Sequence, residues 1–371
     1  MTIRHLRLLP ITLLCTLACQ AHLATGVQPA VAAQPALAAV PLSSRLSATD
    51  LAVVVNTADP LSVAIGAYYA AKRHIPRANI AKVSFDPQRE EMPAAEFIAL
   101  KSSIDRQLSP RLQAYALTWA RPYRVGCMSV TSACAFGTDE KYCAKGCRVT
   151  GRSPYYDAST GKPYDDLHVR PAISIAAMNF ADAKALIDRG VRSDGMAPNG
   201  TAYLVTTDDF DRSVRTSEYS LAERVAGHEL GFEVVRGYAQ KYRGDVMFYF
   251  TGATTVPEID SNRFLPGAIA DHLTSFGGML TDSPQMSSLR WLEAGATGSY
   301  GTVVEPCNFL GKFPNIAVLM AHYLGGETLI EAYWKSVQMP GQGLFIGEPL
   351  AAPFRTRPGA GSGLELGRVP R

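Results

Sequence analysis

The sequence predicts an α/β fold with a mostly parallel, doubly wound sheet and a cysteine-rich insertion. Three observations carry this. Short continuous apolar runs such as Leu51-Ala52-Val53-Val54-Val55 recur along the chain, without the alternation of a sheet that has one wet face. Capped segments with helical periodicity lie between them, so strand and helix alternate as in repeated βα units. The alternation then stops at Arg121-Pro122 and resumes only after Pro171, which marks off the insertion.

Each element follows from its residues. After the first apolar run, Asn56-Thr57-Ala58-Asp59-Pro60 offers helix caps before Ser62 to Arg73, whose apolar residues recur at helical spacing. Ile80 to Phe85 reads as a second strand, Met92 to Leu108 as an amphipathic helix and Ala114 to Trp119 as a third strand. Beyond the insertion come strands at 172–176, 202–206, 232–235 and 246–250, with helices at 179–189 and 218–231. Leu289–Ala294 reads as the end of a helix, Ser299–Val304 as a buried strand and 315–323 and 327–337 as two late helices. Leu344–Ile346 reads as a last strand. No repeat at a fixed period is visible.

Composition bounds the function. At 371 residues, with 47% apolar and 19% charged, the chain has ample material for a core. A formal net charge of +3 and the lack of any basic run argue against a nucleic-acid partner. Arg4 and Arg7 ahead of the short apolar run Leu8–Ala18 read as an export signal over residues 1–24. Thr16-Leu17-Ala18-Cys19 resembles a lipoprotein box in which Cys19 would carry the lipid, and Ala24 and Ala30-Val31-Ala32 offer plain cleavage sites instead. Contact with a membrane is expected only through such an anchor. Residues 25–49, rich in Ala and Pro, read as a linker, 50–354 as the α/β domain with its insertion at about 121–171, and 355–371 as a disordered tail.

Export gives the cysteines meaning. Cys127, Cys134, Cys143 and Cys147 crowd into GCMSVTSACAFGTDEKYCAKGC, which predicts two disulfides in one of three connectivities. Zinc is the alternative, weakened by the absence of close Cys-x-x-Cys pairs; no metal or cofactor is expected. Cys307 is left without a partner.

The stretch from His272 to Pro314 carries the candidate site. Cys307 follows the predicted strand 299–304, at the carboxyl edge where open α/β sheets carry their chemistry. A nucleophilic thiol needs an imidazole, and His272 and His322 flank it in sequence; the alternative is a buried, inert thiol. Glu305 beside Pro306 is a third catalytic candidate, or a partner for Arg290 or Lys312. Ser275, Gly277, Gly278 and Gly298 would line a ligand crevice, since glycines let a ligand approach the backbone. Asp208, Asp209 and Asp211 would hold a divalent cation, or cap a helix and pair with Arg212 and Arg215.

The segments DLAVVVNTADPLSVAIGAYYAAKRHIP, LTSFGGML, GATGSYGTVVEPC and GEPLAAPF resemble a family of exported bacterial proteins without an assigned activity. More distantly, the chain is similar to the gingipain-like cysteine peptidases, which implies a caspase-like or flavodoxin-like sheet with Gly347-Glu348-Pro349 matching a terminal Gly-Asp-Pro segment. Those peptidases carry their base in a His-Gly context where this chain reads Phe250-Thr251-Gly252-Ala253-Thr254. Their nucleophilic Cys would fall where this chain has Ser275 to Ser288. The dyad therefore does not transfer. Two functions are expected: a non-catalytic envelope protein that binds a protein or glycan on a degenerate peptidase-like scaffold, or a thiol-dependent hydrolase using Cys307.

Overall fold

The computed structural model describes residues 45–144 and 146–355; the predicted signal at 1–24, Cys19, the linker up to residue 44 and the tail from residue 356 lie outside them. The chain runs β1 (Leu51–Asn56), α1 (Pro60–Arg73), β2 (Ile80–Val83), α2 (Ala94–Gln107) and β3 (Ala114–Leu117). The insertion follows with β4 (Arg124–Val125), β5 (Met128–Ser129), α3 (Val130–Phe136) and α4 (Pro163–Leu167). Then come β6 (Ala172–Ser174), α5 (Phe180–Ser193), β7 (Thr201–Thr206), α6 (Tyr219–Ala226), β8 (Gly231–Arg236), β9 (Val246–Gly252) and β10 (Phe264–Leu273). The chain closes with α7 (Leu289–Glu293), β11 (Gly298–Thr302), α8 (Ile316–Leu324), α9 (Leu329–Ser336) and β12 (Gly343–Gly347).

Among the described residues ten strands form one sheet, in the order β2-β1-β3-β6-β12-β11-β10-β9-β7-β8. The group β2-β1-β3-β6 pairs parallel throughout, and so does β11-β10-β9-β7-β8. Each group winds in the same way, its second strand on one side of the first and its third on the other, which is the doubly wound order expected. A local device recurs with it. The Asn56 N–H donates to Ser62 Oγ at 2.9 Å and the Thr207 N–H to Ser213 Oγ at 3.2 Å, each a six-residue step off the first strand of its group. The repeat is one of topology and hydrogen bonding, which is why residue identity at a fixed spacing does not display it.

The last strand joins the two groups. β12 pairs antiparallel with β11 from Gly298↔Gly347 to Thr302↔Gly343, and meets β6 only at Ile346 and Ser174, a single pair with the local bonding of a parallel bridge. Its ends set its course. Gly343 accepts a hydrogen bond from Ser129, beyond β3, whereas Glu348 meets Arg73 at the end of α1. β12 thus starts at the edge where both groups end and finishes where they begin. At the carboxyl edge the loops of the two groups touch: Tyr123, after β3, donates to Asp282, after β10.

Two elements differ from expectation. β10 lies where no strand is predicted, because Pro266-Gly267 and Asp271-His272 break the apolar run. Gly267 takes φ +89°, and the register with β9 shifts between Phe264 and Ile269. The fold also starts earlier than residue 50: Leu46 is buried and its N–H donates to Glu331 at 3.2 Å.

The glycines of the 277–301 stretch pack chain against chain. A Cβ at Gly278 would stand 2.6 Å from the Gly301 carbonyl oxygen, and one at Gly301 would overlap the Gly277–Gly278 peptide. Gly301→Ala is therefore expected to destabilise the fold by about 2 to 3 kcal/mol, the cost of overpacking where backbone cannot yield. A lowered urea midpoint with an unchanged slope checks it.

Candidate functional site

The carboxyl edge of the second group is built by the loops after β7, β9, β10 and β11. β11 is an inner strand, buried along its length and paired on both sides, as the aromatic and β-branched residues of Ser299–Val304 predict. Past its end the Glu305 carboxylate accepts the Cys307 N–H at 2.7 Å, and Cys307 takes φ +56°. Its sulfur is not free. Cys307 is bonded to Cys147 with Cα atoms 5.5 Å apart, and Cys127 to Cys143 at 5.4 Å.

This corrects two expectations. The insertion does not close on itself, since one bridge ties it to the edge of the sheet across 160 positions of sequence. The unpaired cysteine among those described is Cys134, buried in α3, where desolvation pushes the thiol up to about 12. Spacing could not separate these pairings, because Cys307 is close to Cys147 only in the folded chain. Two disulfides fit an oxidising compartment outside the cytoplasm.

His272 is also corrected, from a candidate base for Cys307 to a buried member of β10. Its Nδ1 accepts the Trp291 indole N–H at 2.9 Å, which places the proton on Nε2 to donate to the Met286 carbonyl at 3.0 Å. Both nitrogens are committed. Burial lowers its pKa to about 4, with Arg215 and Arg212 adding repulsion. His322 on α8 is held between Asp157 at 3.0 Å and Glu327 at 3.2 Å, and Glu327 in turn takes Lys335 at 2.8 Å. These contacts bind the insertion to α8 and α9.

The remaining predicted residues serve the scaffold. The Ser275 carbonyl accepts from Thr302 Oγ1 at 2.9 Å, and Gly278 N–H donates to the Thr302 carbonyl at 2.9 Å. A Cβ at Gly298 would meet Leu329 at 2.6 Å and Tyr333 at 3.0 Å. Gly278 and Gly298 therefore give room to neighbouring chain. Asp209 caps Arg212 and pairs with its guanidinium at 2.8 Å, and exposed Asp208 reaches Arg236 at 3.7 Å.

Arg215, expected to pair with the Asp208–Asp211 carboxylates, pairs instead with Asp271, a residue the sequence did not single out. Arg215 pairs with Asp271 at 2.6 Å, both about 2% exposed, and donates to the Thr251 carbonyl at 2.9 Å. A carboxylate inside Ala268-Ile269-Ala270-Asp271 was the available signal, since an isolated charge cannot be buried cheaply. At the end of β9 opens a cleft of about 470 Å³ lined by Thr255, Glu258, Gln285, Met286, Ser287 and Arg290. The Gln285 side-chain oxygen accepts from Thr274 Oγ1 at 2.6 Å and from the Phe276 N–H at 2.9 Å, which fixes the side chain at the rim of the cleft. Carboxylate, guanidinium, hydroxyl and amide around a methionine floor suit a polar ligand with an apolar face.

No family model matches the chain, and no curated protein matches it. A solved structure described as "Structure of Protease" is similar over 84% of this chain and 80% of that one, at 10% identity and a TM-score of 0.46. A likeness that slight bears on neither activity nor site.

The buried histidine makes stability depend on pH. The unfolded chain takes up the proton near 6.5 and the folded chain only near 4, so protons favour unfolding between those values. Stability is expected to be full above about pH 6.5, to fall by about 3 kcal/mol towards pH 4 and then level for this group. Denaturant titrations at stepped pH, with His272→Gln flattening that window, check the assignment.

Proposed function

We propose that the protein is an exported envelope protein that binds a polar partner, a glycan or an extended peptide segment, in the cleft at the end of β9 without cleaving it. One observation carries this reading: the sulfur of Cys307 is spent in a disulfide, at the edge where a thiol hydrolase would need it. The imidazole in β10 offers no free nitrogen, and Cys134 is buried away in the insertion. Thr251-Gly252-Ala253-Thr254 and Ser275 occupy the places where the resembling peptidases carry base and nucleophile, which makes the scaffold peptidase-like in plan and degenerate in chemistry. Export draws support from the two disulfides and from the signal-like start, with Cys19 as the lipid-bearing residue of a periplasm-facing anchor.

The test has two arms. The oxidised protein is expected to turn over no peptide or ester substrate, and alkylation should reach Cys307 only after reduction. Calorimetric titration with soluble glycan fragments and extended peptides should show binding that Gln285→Ala or Arg290→Ala weakens at least tenfold. Turnover that vanishes in Cys307→Ser, or binding indifferent to both cleft variants, would sink the reading.

A further inference from the structure

Lys312 stands at the carboxyl end of β11, in the short turn Leu310–Lys312, fully buried and with no hydrogen-bond partner for its Nζ. A buried ammonium without a partner is costly, and such lysines give up their proton instead. Its surroundings are built. The Phe309 ring lies 5.1 Å away, and the Tyr300 hydroxyl holds the Lys312 carbonyl. Gln342 donates through Nε2 to the Glu305 carbonyl at 2.8 Å, and its Oε1, also buried, has no donor. Nζ and Oε1 are thus an unmet donor and an unmet acceptor, both beside Glu305.

The geometry points to Lys312 as a nucleophilic amine that forms an imine with a small uncharged aldehyde. Burial lowers its pKa to about 8, with the Glu305 charge opposing the shift, so a usable fraction is free amine near neutral pH. In the step, the Nζ lone pair adds to the carbonyl carbon. The carbonyl oxygen leaves as water with the two amine hydrogens, relayed through the Glu305 carboxylate, and a C=N bond remains. No second cation faces the amine among its described contacts, which favours an aldehyde over a 2-oxo acid. The cover is thin, since Asn308 and Leu310 on either side of Phe309 are exposed. This inference stands apart from the binding cleft and does not need it.

Trapping with propanal and cyanoborohydride, read by peptide mass spectrometry on the folded oxidised protein, tests it. At pH 7 an amine of pKa 8 is free roughly 300-fold more often than an ordinary lysine. Lys312 is therefore expected to be propylated at least tenfold faster than exposed Lys82 and Lys162, with a midpoint near pH 8. Lys312→Met, which removes a buried charge and should fold, would lose that product alone. Modification of Lys312 no faster than the two exposed lysines, or only after unfolding, overturns the proposal.

Discussion

The ion pair of Glu348 with Arg73 is what the sheet depends on. Glu348 has no exposure and its carboxylate meets the Arg73 guanidinium at 2.5 Å, with Asp194 on the other side of the same arginine. Arg73 ends α1, Asp194 follows α5 and Glu348 follows β12, so three parts of the chain close on one cation. That matters because β12 is the strand between the two parallel groups, and its bond to the first group is a single residue pair. Losing one member of a buried pair leaves a charge stranded at a cost of about 3 to 5 kcal/mol, far more than a surface bridge is worth. The Gly-Glu-Pro segment thus has a structural reason to be acidic: the carboxylate is the pin that keeps β12 in place.

Once β12 is held, both groups present their carboxyl ends to one side, and the second bridge acts there. Cys147 comes from the insertion of the first group and Cys307 from the loop after the last parallel strand of the second. Closing so long a loop restricts the unfolded chain, which favours the fold whatever else it does. The same bond also occupies the sulfur of Cys307 and ties the insertion to the carboxyl edge of the second group.

Legibility followed the cleanness of local patterns. β1, β3 and β9 are buried along their whole length, so their apolar runs announce them, and α1 carries its cap at Asp59, within the segment whose residue types offer one. β10 was hidden because its charged end is neutralised by Arg215, 56 positions earlier, a compensation no local window contains. The glycines were legible as close approach, but their partner turned out to be another strand of the same chain. Pairings such as Cys147 with Cys307, or the isolation of Lys312, are properties of the assembled edge alone.

The two windings also differ in how the crevice at each crossover is filled. At the first crossover the crevice is filled from within: Ser62 and Thr118 hydroxyls meet at 2.6 Å, Trp119 packs on Phe85 at 5.0 Å, and its indole donates to the Pro122 carbonyl at 3.2 Å. Gly66 leaves no spare room there, since a Cβ would stand 2.5 Å from Val55. At the second, the Thr207 hydroxyl donates to the Gly252 carbonyl at 2.6 Å, and Gly252 lacks a side chain because the Arg212 backbone crosses directly over it. That crossing closes the crevice at β7 and β9 itself and pushes the open space outward, to the loop after Gly252 where Thr255 and Glu258 face Gln285 and Arg290. Open α/β sheets bind at such reversals because helix and loop diverge there. The hollow beside the second reversal is bordered by side chains that also hold the fold: Arg290 pairs with Asp260 at 3.3 Å, and Ser287 Oγ donates to the Leu280 carbonyl at 2.9 Å.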